Sequence, residues 1–155
     1  MTMPPVLRKF TLVLHVISSV SSLGAVACFL ALGLAGLATA DARTAESLYV
    51  AMDAIARLVV VPMVLASLVT GLVQALGTVW GLFRHYWVLA KFLLTVVTAV
   101  VLLLQLDLIG YVAAAAAAGL AEADLSGLRS SLVVHAVGGI VVLITTTVLS
   151  IYKPR

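Results

Sequence analysis

The stretch YWVLAKFLLTVVTAVVLLLQLDLIGYV, Tyr86 to Val112, decides the fold. Only Lys91, Thr95, Thr98, Gln105 and Asp107 interrupt its apolar run. A helix needs roughly 20 apolar residues to cross the hydrocarbon core of a bilayer. The stretch is therefore read as a transmembrane helix. Three further segments meet the same criterion, and the predicted spans are approximately 10–38, 58–80, 86–112 and 132–151. Composition agrees: 64% of the 155 residues are hydrophobic and 10% charged, where a soluble domain carries about 25% charged residues. The mean hydropathy is +1.27.

These spans predict an all-α integral membrane four-helix bundle forming a single transmembrane domain, 1–155. The tight connection GLFRH, Gly81 to His85, makes spans two and three antiparallel neighbours. TAESLYVAMDAIAR, Thr44 to Arg57, reads as a helical lead-in to span two, with Asp53 and Arg57 spaced as an i,i+4 pair. Pro62 predicts a kink beyond it. The alanine run after Val112 is helical by propensity, either extending span three or forming a helix of its own. The first apolar stretch is about twice the length of a signal-peptide core, which runs to 7–15 residues, and is read as a retained span despite the Ala-x-Ala pattern in ATADA, Ala38 to Ala42.

Charge gives the topology. Arg8, Lys9, Arg84, Lys91, Lys153 and Arg155 fall on the side of the two termini and the middle loop. Arg43, Arg57 and Arg129 fall opposite, with all six acidic residues: Asp41, Glu46, Asp53, Asp107, Glu122 and Asp124. The positive-inside rule then places both termini in the cytoplasm and the chain in the plasma (inner) membrane. The net charge of +3 is read as topology signal and anionic-lipid contact, with the bilayer as partner and no nucleic acid. Lone Cys28 offers no disulfide framework.

Inside a bilayer the informative pattern is where small and polar residues align. Span one has His15, Ser18, Ser22 and Ala25; span two has Ser67, Thr70, Gly71, Gln74 and Gly77. Span three has Lys91, Thr95, Thr98, Leu102 and Gln105; span four has His135, Gly138, Gly139, Val142, Thr145, Thr146 and Ser150. Four such faces predict a bundle with a polar seam. They also offer surfaces for helix packing and for homo-oligomer formation.

Ionisable residues within a span are costly and mark functional candidates. His15 and Lys91 each lie roughly 8 Å inside the same boundary at about 1.5 Å per residue. His135 lies roughly 27 Å from it and belongs to the other leaflet. Neutral His15 offers an imidazole to haem iron or another metal, with Lys91 and Arg84, read as i,i+7 neighbours, pairing with haem propionates. The plainer readings are a snorkelling Lys91, a hydrogen-bonded core His15 and a packing His135. Trp80, Tyr86 and Trp87 match an interfacial aromatic belt.

LHVISSVSSLGA, Leu14 to Ala25, and WVLAK, Trp87 to Lys91, resemble the first- and third-span motifs of the haem-b protoporphyrinogen oxidase membrane family and, more distantly, of the copper-resistance D membrane family. The longer stretch from Val59 to Thr95 is most similar to an uncharacterised actinobacterial family of four-span integral membrane proteins. The haem-family resemblance implies His15 as a ligand of haem b, Lys91 as its partner and a redox or electron-transfer role. The oxidase reaction is not carried over, because LLLQLD, Leu102 to Asp107, has no histidine. The alternatives are a copper-handling or transport protein using His135 with Asp53 or Asp107, and a non-catalytic structural or accessory protein.

Overall fold

The computed structural model describes the chain except residues 1–2, 79–80, 120–121 and 153–155 and the side chains of 122–124. The expectations for Trp80, Lys153 and Arg155, and for the Glu122 and Asp124 side chains, lie outside the described residues. Every regular element among the described residues is helical: α1, Pro5–Ala38; α2, Ala42–Ile55; a π turn, Ala56–Val60; α3, Val61–Gly77; α4, Tyr86–Ala117; and α5, Glu122–Tyr152.

Local chemistry sets the boundaries. Pro5 begins α1 in the first turn, where a missing N–H costs nothing. After Thr39 leaves helical geometry, Asp41 caps α2 by accepting from the Thr44 N–H at 2.9 Å and from its hydroxyl at 2.5 Å. Those two Thr44 bonds, hydroxyl first, hold the Asp41 carboxyl below its ordinary range. The α4 helix runs through the alanine-rich segment and stops where Gly119 adopts φ +70°, a left-handed conformation that favours glycine.

The second span is one 36-residue helix, Ala42–Gly77, longer than the predicted 58–80 at its outer end. Its predicted kink takes the form of the π turn. Pro62 has no N–H for the Leu58 carbonyl, and the Val61 N–H reaches back to the Ala56 carbonyl. One residue is thereby inserted without breaking the helix.

The four long helices form an up-and-down ring. The α1 helix packs on the α2–α3 span, that span on α4, α4 on α5, and α5 back on α1. Spans one and three therefore occupy one diagonal. In the half away from the α1 N-terminus Phe29, Tyr49, Met52, Ile109, Val112 and Leu132 pack a core, with the buried Arg129 guanidinium 4.8 Å from the Tyr49 ring. In the other half Ala75, Leu82, Trp87 and Val88 form a smaller cluster.

Most apolar surface points outward. Only 11–22% of each span's most apolar stretch is buried within the molecule. Val6, Leu58, Val69, Leu76 and Leu104 are among the large side chains exposed by more than half. A soluble monomer rarely exposes contiguous apolar surface on this scale, whereas lipid solvates it. The chain is a multi-pass membrane protein with the architecture of a four-helix bundle.

Candidate functional site

The small and polar faces do meet, in two separate places. Between α1 and α3 they make a hydrogen-bonded ladder. His15 Nδ1 lies 3.0 Å from the Ser67 carbonyl oxygen and 3.1 Å from the Thr70 hydroxyl. A carbonyl only accepts, so Nδ1 carries the proton. Thr70 is free to accept because its own hydroxyl donates to the Ala66 carbonyl at 2.6 Å. One turn further out, the Ser19 and Ser67 hydroxyls bond at 2.8 Å. Toward the α1 N-terminus, Gln74 Nε2 donates to the Arg8 carbonyl at 3.0 Å and to the Thr11 hydroxyl at 2.6 Å. His15, Ser19 and Gln74 thereby find partners on the neighbouring helix, while Ser18 and Ser22 donate to carbonyls of their own helix.

This arrangement joins the two helices through His15, Ser19 and Gln74. The α3 backbone closes over the imidazole at Gly71. A Cβ placed there would stand 3.0 Å from His15 Cε1 and 3.8 Å from Nε2. Lys91 is on the diagonal helix and turns to α5: its ammonium donates to Ser150 Oγ at 2.9 Å and sits 4.6 Å above the Trp87 ring. Arg84 is exposed in the loop. The expected i,i+7 relation to Lys91 is not made, because His85 is extended and α4 begins only at Tyr86. Trp87 is buried in a cluster with Leu82 and Val88, while Tyr86 is exposed.

His135 lies elsewhere. Its Nδ1 donates to the Ser131 carbonyl one turn back on α5, at 2.7 Å. Asp53 instead pairs with Arg57 at 2.8 Å, and Arg57 also donates to the Leu106 carbonyl at 3.1 Å. No three His, Cys, Asp or Glu side chains gather into a metal-binding group among the described residues.

The second meeting place is a cavity of about 400 Å³ walled by all four spans. Val26 and Phe29 come from α1, Ala56 and Val60 from the π turn, Thr98, Leu102 and Gln105 from α4, and His135, Gly138 and Gly139 from α5. Among the described residues no Asp, Glu, Lys or Arg lines it. Exposed Val97, Val101 and Val134 stand at its margin, so it opens between α4 and α5 toward lipid. The α4 and α5 faces were legible as small and polar stripes. The π turn supplying the cavity floor was not, because Pro62 announces a kink without specifying its form. π turns recur at functional sites. The chain matches no protein-family model, no curated protein and no solved structure.

Proposed function

We propose that this chain is a membrane protein that binds a neutral, mostly apolar, membrane-soluble ligand between its helices. The cavity carries the reading. Ligand sites are typically 300–1,000 Å³, apolar-walled, with a few placed polar groups. The cavity of about 400 Å³ offers three such groups, Thr98, Gln105 and His135, on otherwise apolar walls. Its lateral opening suits a ligand that arrives from lipid. The basic residues on the side of the termini support a cytoplasmic placement of both ends, and a plasma-membrane location follows the same logic.

Gly138 gives a direct test. It lines the cavity, and a Cβ at this position meets nothing within 4 Å. Gly138→Leu therefore fills the cavity without a clash at the backbone. Protein in nanodiscs is expected to take up decylbenzene above the level of empty nanodiscs, and Gly138→Leu is expected to abolish at least nine-tenths of that excess. Equal uptake by both proteins would overturn the reading.

A further inference from the structure

Resting on the cavity reading, we infer that the ligand carries a ring hydroxyl that donates to His135 and accepts from Gln105, the chemistry of an isoprenoid quinol. His135 and Gln105 are level. Gln105 stands roughly 28 Å along α4 from Tyr86, and His135 roughly 26 Å along α5 from Tyr152, at about 1.5 Å per residue. Both line the same space. Apart from Thr98, whose hydroxyl donates to the Leu94 carbonyl of its own helix at 2.8 Å, the lining residues closer to the midplane, Val64, Val97, Val142 and Leu143, are apolar. The cavity thus has Gln105 and His135 at one end and a mostly apolar deep end.

Hydrogen-bond roles select the ligand. His135 Nδ1 is 2.7 Å from the Ser131 carbonyl oxygen and must donate there. In the neutral ring Nε2 is then an acceptor. Gln105 brings an amide N–H₂ and a carbonyl; among the described residues none bonds this side chain, and it borders the cavity. A hydroxyl satisfies both groups at once, donating to Nε2 and accepting from the amide. A quinone carbonyl accepts from Gln105 but opposes its lone pairs to that of Nε2. A phospholipid brings a charged phosphate, for which the described walls hold no cation.

Size agrees. A cavity of about 150 Å³ holds benzene, so about 400 Å³ accommodates a substituted ring and the first carbons of a tail. Phe29 offers an aromatic face on one wall. The remaining tail leaves past Val97 and Val134 into lipid.

The test compares three probes with the same ten-carbon tail: a benzoquinol, its benzoquinone, and decylbenzene. Each is partitioned at pH 8, without oxygen, between nanodiscs holding the full chain and empty nanodiscs. The quinol is expected to bind about tenfold or more tightly than the quinone. His135→Phe, which keeps a ring of similar shape without the acceptor, is expected to collapse that preference, with decylbenzene uptake by the same variant reporting whether the cavity still takes an apolar probe. Equal binding of quinol and quinone, or a preference that survives His135→Phe, overturns this inference and leaves the cavity reading intact. Failure of all three probes to exceed empty nanodiscs overturns both.

Discussion

His15 on α1 and Ser67 on α3 are joined across the helix interface, with Nδ1 3.0 Å from the Ser67 carbonyl. The contact gives the imidazole a structural task. Interhelical hydrogen bonds in bilayers are worth about 0.6 kcal/mol on average and up to about 1.7. His15→Ala also removes ring packing against Gly71. It is therefore expected to destabilise the bundle by roughly 2 kcal/mol, read as a lower midpoint of unfolding in mixed micelles. Purified wild-type protein, expressed with ample haem, is expected to show only ultraviolet protein absorption. A Soret band that disappears in His15→Ala would make the residue a haem ligand instead.

Much of this interface was legible from side-chain chemistry alone. His15, Ser67, Thr70 and Gln74 stand at helical spacing, and such groups in hydrocarbon must find one another. The partner of each group was not legible, because the pairing depends on ring order. Equal depth makes His15 and Lys91 level, and an up-and-down ring sets their spans on one diagonal. Depth alone does not reveal that Lys91 also bonds Ser150 and lies over the Trp87 ring. The cavity was the least legible feature, because it arises where glycines on α5 and a π turn in the second span leave space that no single helix encodes.

Two glycines of α1 separate packing from helix propensity. A Cβ at Gly36 would stand 2.9 Å from Tyr49 Cζ and Oη, while one at Gly24 meets nothing within 4 Å. Tyr49 is fully buried, so it has little room to yield. Gly36→Ala is expected to destabilise by about 1–3 kcal/mol through overpacking. Gly24→Ala is expected to be neutral, or to gain up to about 1 kcal/mol from helix propensity. Paired thermal unfolding curves decide this; equal shifts would refute close packing at Tyr49.

The Asp41 cap adds a local pH dependence. Its folded carboxyl titrates lower than in the unfolded chain because the ionised form accepts two Thr44 bonds. The stabilisation is full above an unfolded value of about 3.9 and is lost as pH falls through the lower folded value. Amide exchange at Thr44 and Ala45 is expected to accelerate in Asp41→Ala relative to wild type at pH 6. The excess protection in wild type is expected to shrink below about pH 3.9. A pH-independent difference would show that the ionised carboxylate is not the cap.

Trp87 tests the packing of the inner end. An indole in an interfacial belt meets the aqueous boundary, whereas here Leu82 and Val88 bury it and the Lys91 ammonium lies over its face. In a Trp80→Phe background, Trp87 is the sole tryptophan, since the chain has two. Its emission is expected to be blue-shifted and resistant to aqueous iodide. Lys91→Met keeps an unbranched side chain but removes the cation, which is worth about 0.5–2 kcal/mol over an aromatic face. It also strips Ser150 of its donor. The variant is expected to change the Trp87 emission intensity while leaving iodide protection in place, because Leu82 still covers the ring. Ready quenching in the parent protein would put Trp87 back in the interface. An unchanged intensity in Lys91→Met would mean that the ammonium spends its time with lipid headgroups instead of the indole.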